Sequence, residues 1–188
     1  MKQNFLLQLL ILKIIKSTLK MKGESGKHLT TIPPFGYVKD EKDKNMWLID
    51  EEAAETVRYI FKLCISGLGP TQIAKRLTTE KVVTPTAYKA QKNGELLPSN
   101  PFKWAQKSVA SILERVEYIG YTENFKTTSK NYRSKKRIWN NKEDRRIFED
   151  THPSIVDKHT FDTVQEIRKH KRRPTATGKI SIFAGKVF

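Results

Sequence analysis

Apolar positions fall at helical spacing in four stretches of this chain. Ala53, Val57, Ile60, Phe61 and Cys64 line one face of a helix that opens on Asp50 as N-cap, with Glu51 and Glu52 set against the helix dipole. Gly67 and Gly69 end it, and Pro70 suits the first turn of a second helix that carries Ile73, Ala74 and Leu77 inward. Val109, Ile112, Leu113 and Val116 define a third helix, from about Ala105 to Val116. A last helix follows Asp157 as cap, with Val156 and Phe161 as a hydrophobic staple and Phe161, Val164 and Ile167 as its inner face. Strand signals are shorter. Residues 32–50 predict a β-hairpin, with Tyr37-Val38 and Trp47-Leu48-Ile49 as strands around a charged turn at 40–45. Residues 118–125 and Ile147-Phe148 also have strand character. Between Thr79 and Pro101 the periodicity is lost among three prolines and Asn93-Gly94, which predicts a long loop. Residues 21–31 are polar and predict a linker.

The resulting fold class is α+β: a helix-turn-helix-like helical core, a short N-terminal β-hairpin and a small antiparallel sheet. The link between the second and third helices far exceeds the three or four residues of a simple helix-turn-helix. At the N-terminus, residues 5–15 form a strongly apolar run. It is too short and interrupted to span a bilayer, and no small-residue cleavage site comes after it. A helix is predicted there, and no membrane partner.

Charge narrows the partner. The 188 residues carry 36 Lys and Arg against 20 Asp and Glu, a net charge of +16. That balance favours a polyanion, nucleic acid first and an acidic membrane second. The cations are clustered. Residues 126–146 hold nine basic and two acidic residues, interleaved with Tyr132 and Trp139, and predict a flexible loop. Within it Arg133, Lys135, Lys136 and Arg137 are candidates to grip phosphate, while the aromatic rings can pack on sugar or base edges. Residues 168–179 hold six basic residues and no acidic one, so Lys171, Arg172 and Arg173 read as a basic linker suited to following a groove. A charge run of either kind also serves plain solubility.

The outer face of the third helix is set by its inner one. Lys107, Ser111 and Glu114 point away from the core, flanked by Ser108 and Arg115, with Lys103 just upstream. Lysine, serine and arginine on one face meet the needs of base and phosphate contact in a major groove, and equally those of a solvated face. Glu114 is the discordant member.

Catalytic chemistry is harder to assemble. Ser17, Ser25 and Ser66 sit in no nucleophile motif, no Gly-rich phosphate loop is present, and no Ser/His/Asp arrangement emerges. The lone Cys64 falls on an apolar helix face, where a buried inert thiol is expected. His28, His152, His159 and His170 lack paired cysteines and metal-ligand spacing, so neither a metal nor a cofactor is expected.

Several landmarks occur in order: Pro34-Phe35-Gly36-Tyr37, Trp47 to Ala54, Gly69-Pro70-Thr71-Gln72-Ile73-Ala74, Trp104 to Gly120, His152-Pro153-Ser154-Ile155-Val156-Asp157 and Phe183-Ala184-Gly185-Lys186-Val187-Phe188. Together they resemble the central DNA-binding domain of large serine recombinases, the integrases and transposases of phage and conjugative elements. The resemblance implies a domain over 23–170, preceded by an apolar helix at 1–22 that is a remnant of an inter-domain helix. It also implies a basic linker at 171–188 that runs into a zinc ribbon. It implies sequence-specific binding of double-stranded DNA at half of an attachment site, without catalysis, because the serine that attacks DNA belongs to a separate domain. It further implies other recombinase subunits as partners and a cytoplasmic, nucleoid-associated location. Val116-Glu117 departs from the family's Asn-Pro and places a negative charge near the proposed DNA face. An RNA-binding protein of ribosome-associated type and a metal-dependent nuclease are the rival readings.

Overall fold

The computed structural model describes residues 2–129 and 136–169, with the backbone alone for residues 2–9 and 12. It is α+β and divides into two compact units, Met1–Asp50 with Val116–Ile155, and Glu51–Arg115 with Val156–Phe188.

The second unit is helical. α2 (Glu51–Ile65), α3 (Pro70–Thr79), α4 (Pro85–Lys92), α5 (Gln106–Glu114) and α6 (Lys158–Lys169) supply its core. Most of the predicted inner-face residues are buried: Val57, Ile60 and Phe61 of α2, Ile73 and Leu77 of α3, Val109 and Leu113 of α5, Phe161 and Val164 of α6. Ile167 is half-buried, as is Val116, which falls past the end of α5. α3 packs on α5 and α2 on α6, and the rings of Phe61 and Phe161 lie 6.1 Å apart. Gly67 closes α2 in the left-handed region (φ 96°). Its N–H bonds the Cys64 carbonyl and that of Leu68 the Leu63 carbonyl, the double bond of a Schellman stop. Asp157 caps α6 by accepting from the Thr160 N–H at 2.7 Å, and its bonds to Thr160 hold its carboxyl below the usual range.

One prediction for this unit is overturned. The expected loop after Thr79 contains α4, capped by the Thr84 hydroxyl, which accepts from the Ala87 N–H, and started by Pro85. Only Ala87 and Ala90 are buried on it, too little apolar surface to show as a periodic face. Its ends are pinned by the Thr84 N–H to the Pro101 carbonyl (2.9 Å) and by Trp104, whose indole N–H bonds the Val82 carbonyl (2.9 Å).

The first unit holds α1 (Lys2–Glu24) and, among the described residues, six three-residue strands. β1 (Tyr37–Lys39) pairs antiparallel with β2 (Trp47–Ile49), which is the predicted hairpin. β3 (Thr122–Asn124) pairs with β6 (Arg146–Phe148), and β4 (Thr127–Ser129) with β5 (Arg137–Trp139). α1 runs to Glu24, into the expected linker. The linker residues around its end are tied down: the Asn124 amide donates to the carbonyls of Gly23 and Lys27, both at 3.0 Å. Leu10, Ile11, Ile14, Ile15 and Leu19 of α1 are exposed. No described helix is long and apolar enough to cross a membrane.

The strand expected at 118–125 begins instead as a 3-10 turn, Val116–Ile119. Gly120 makes the bend possible. Its φ is +84°, and a Cβ there would meet the His152 carbonyl oxygen at 2.7 Å. Around this turn the Tyr37 hydroxyl reaches the carbonyls of Glu117 (3.1 Å) and Pro153 (2.9 Å), and the Tyr118 hydroxyl donates to the Phe35 carbonyl (2.9 Å).

Candidate nucleic-acid interface

In the helical unit, α5 buries Val109, Ile112 and Leu113 and leaves Lys107, Ser108 and Glu114 exposed, with Ser111 half-buried. Lys103 is exposed one turn upstream. Among the described residues no side chain caps the N-terminus of α5, and its first turn holds no acidic residue. Lysines at this end oppose the helix dipole, and an anion brought there would relieve both. At the other end the discordant Glu114 is neutralised. Arg168 of α6 donates to its carboxylate at 2.6 Å, while Gln165 donates to the Leu113 carbonyl at 2.7 Å. Arg115 lies just past the helix in extended conformation, half-buried, and its Nε donates to the Ser111 hydroxyl at 3.3 Å. The positive character of α5 is therefore concentrated at its first turn.

In the other unit, the expected flexible loop over 126–146 holds, among its described residues, the paired strands β4 and β5 and a 3-10 turn at Lys142–Asp144. Two of its cations face inward. Lys126 bridges the carboxylates of Glu117 (2.8 Å) and Glu123 (3.1 Å), and Arg145 bonds Glu123 at 3.0 Å. This corrects the expectation for Glu117, which is buried and ion-paired rather than presented as a surface negative charge. Burial of a carboxylate demands a partner, and a lysine nine residues on meets that demand once the chain folds back. Lys136 and Arg137 are exposed, and Arg137 donates to the Thr127 hydroxyl at 3.1 Å. Arg133, Lys135, Lys171, Arg172 and Arg173 lie outside the described residues. The sequence pattern missed Arg168 and Arg145 as partners. Only their pairing in space assigns them, since Arg168 and Glu114 are 54 positions apart.

The same unit buries two histidines. His28 stacks on Trp47 with ring centroids 3.5 Å apart, and His152 meets His28 edge-on at 5.2 Å. Their polar atoms form one chain. His28 Nδ1 lies 3.0 Å from the Thr122 hydroxyl, which lies 2.6 Å from that of Thr151. Thr151 lies 2.9 Å from His152 Nδ1, and His152 Nε2 lies 2.7 Å from the Glu117 carbonyl. That carbonyl only accepts, so Nε2 carries a proton. Thr151 also donates to the Gly120 carbonyl at 3.1 Å, so its single proton is shared between that oxygen and Nδ1 of neutral His152. Burial, with the neighbouring His152 and Lys22, lowers the pKa of His28 to about 4. Burial lowers that of His152 too, against the opposing pull of the Glu117 carbonyl and carboxylate. Among the described residues no three His, Cys, Asp or Glu side chains are grouped to hold a metal ion.

No curated protein matches the chain. Among solved structures, one similar chain is from a crystal structure of an LSR–DNA complex, 20% identical with a TM-score of 0.46, covering 82% of this chain and 37% of that one. A second comes from work on the sequence requirements of the Listeria innocua prophage attP site. It is 21% identical with a TM-score of 0.47, over 84% of this chain and 51% of that one. The chain thus spans about two fifths of the first and half of the second. A family model described as Recombinase matches residues 51–171, well over half of the sequence and all of α2 to α6. This chain belongs to the Recombinase family.

Proposed function

We propose that this chain binds double-stranded DNA at half of a recombination site, reading sequence with the first turn of α5 and gripping phosphates with the basic hairpin. Strand cleavage is the task of another part of a site-specific recombinase of the large serine type. The carrying observation is the uncapped, lysine-flanked N-terminus of α5, set on a fully buried inner face within the Recombinase match. Recognition helices present their N-terminal residues to base edges in the major groove. Glu114, paired with Arg168, then adds little repulsion.

Reading and gripping leave different signatures. On a site selected from random duplexes, Lys107→Ala or Ser108→Ala is expected to cost about 1–3 kcal/mol, with little loss on unrelated duplex. Ser111→Ala and Arg115→Ala act as a bonded pair and should be less than additive. Lys136→Ala should weaken both duplexes about equally and reduce the log–log salt slope by about 0.9, one phosphate's share. Each variant needs a thermal melt beside it, since the helix also carries core residues. Well-folded Lys107 and Ser108 variants that keep full preference for the selected site would remove α5 as the reader. A flat salt dependence for the wild type, or preferential capture by structured RNA, would remove duplex DNA as the ligand.

The absence of a nucleophile motif gives a second expectation. The purified chain should leave supercoiled and linear duplex intact, with or without magnesium, and a covalent protein–DNA adduct would refute this.

A further inference from the structure

The chain has three tryptophans, and they are placed very differently. Trp47 and Trp104 are 2% and 6% exposed, whereas Trp139 at the end of β5 is 70% exposed. An indole so open to water contributes little burial energy, and its cross-strand partner is only Thr127. Its surroundings are nonetheless built. The Arg145 guanidinium lies over the ring, 5.7 Å from the centroid. Arg137, two residues back and so on the same strand face, donates across to the hydroxyl of Thr127, the residue paired with Trp139.

Arg145 is not a loose surface cation. Its Nε and Nη2 donate to the Asn140 carbonyl at 3.2 and 3.1 Å, and Nη1 to Glu123 at 3.0 Å. Asn140 is itself held by its N–H to the Lys126 carbonyl (3.0 Å) and by its amide to the Phe125 carbonyl (2.8 Å). Glu123 shares Lys126 with the buried Glu117. A continuous set of bonds therefore runs from the interior to the underside of an exposed aromatic ring. The guanidinium under the ring is thereby held before any ligand arrives, which lowers the ordering cost of binding. From 136 to 146 the chain adds five cations against two carboxylates, so the surroundings complement an anion.

We propose that Trp139, bracketed by Arg137 and Arg145, is a preformed contact for the sugar–phosphate backbone of duplex DNA, separate from the reading turn of α5. The indole packs on deoxyribose while Arg137 meets the adjoining phosphate. This rests on the DNA-binding reading above, and deepens it by naming the side chains of the basic hairpin that meet the backbone.

The tryptophan placement supplies the experiment. In the free protein, acrylamide should quench chiefly Trp139, since the other two are buried. Saturating fluorescein-labelled duplex, with binding followed independently by anisotropy, should cut that quenching severalfold. Trp139→Phe should abolish the duplex-dependent change. Trp139→Ala is expected to weaken binding about 5- to 100-fold, with Trp139→Phe in between. Arg137→Ala should lower the salt slope by about one. The quenching measurement uses the wild type, so it holds even if the alanine variant disturbs the hairpin. If duplex binds with Trp139 still fully quenchable, or if folded Trp139→Ala keeps wild-type affinity, this contact is refuted while the DNA-binding reading stands. Protection by single-stranded DNA or structured RNA but not by duplex would refute the stated occupant. If anisotropy shows no duplex bound at all, the DNA-binding reading falls first and this contact with it.

Discussion

Lys126→Met is expected to destabilise the first unit by about 3–5 kcal/mol, the range for removing one partner of a buried pair. Glu117 has a side chain only 9% exposed, and its ion-pair partner among the described residues is Lys126. The other carboxylate oxygen, Oε2, is buried without a hydrogen-bond partner among those residues, so it offers no compensation. Glu123 is less affected, because it retains Arg145 at 3.0 Å. Lys126 is 29% exposed, so water entering the vacated space would bring the loss to the lower end of the range. The double variant Lys126→Met/Glu117→Gln should recover most of the stability, since no uncompensated charge remains. Urea melts of the four proteins in the cycle check this. Equal stability for the single variant and the wild type would show that Glu117 does not depend on Lys126. A double variant no better than the single one would place the loss in packing instead.

Acidification should weaken the same unit. His28 has its pKa lowered from 6.5 to about 4, chiefly by burial. The unfolded chain therefore binds a proton that the folded chain refuses between those values, and stability rises with pH across that window. The contribution is complete above about pH 6.5, declines as pH falls, and levels off below about 4. At about 1.36 kcal/mol per pKa unit, His28 alone accounts for roughly 3 kcal/mol. His152 is lowered as well and adds in the same direction. Trp47, stacked on His28, is the natural reporter. In a Trp104→Phe/Trp139→Phe background its emission should track unfolding, with midpoints in urea falling from about pH 7 to about pH 4. His28→Phe, which keeps the stack without the titration, should flatten part of that dependence. Midpoints independent of pH would contradict the buried neutral pair.

Both effects arise in a region that the sequence represents poorly. The helical unit is legible because each of its longer helices has a periodic apolar face and recognisable ends: Gly67 after α2, Pro70 at the start of α3, Asp157 before α6. The β1–β2 hairpin is legible from its apolar strands and charged turn. α4 is not, because two buried alanines leave no periodic signal, although Thr84-Pro85 is a start signal in retrospect. The stretch from 126 to 146 reads as a solvated loop because its cations outnumber its apolar residues. Lys126 and Arg145 face carboxylates rather than water, a fact decided by partners elsewhere in the chain.

Residue order alone is enough to give the family, the α+β class, most of the inner face of each longer helix of the helical unit and, by subtraction, the outer face of α5. All of these rest on local periodicity and on short motifs whose geometry is set within a few residues. Which charges remain for a partner is settled only when the chain is folded. Arg168 neutralises Glu114 across 54 positions, Lys126 satisfies a buried Glu117, and Arg145 is withdrawn to support Trp139. Charge is counted along a sequence, but it is neutralised in space, over distances of about 3 Å that no spacing rule predicts when the partners come from different elements. The two buried histidines make the same point. Nothing local to His28 or His152 marks them as neutral, and their state is set by the aromatic rings and hydroxyls that folding gathers around them.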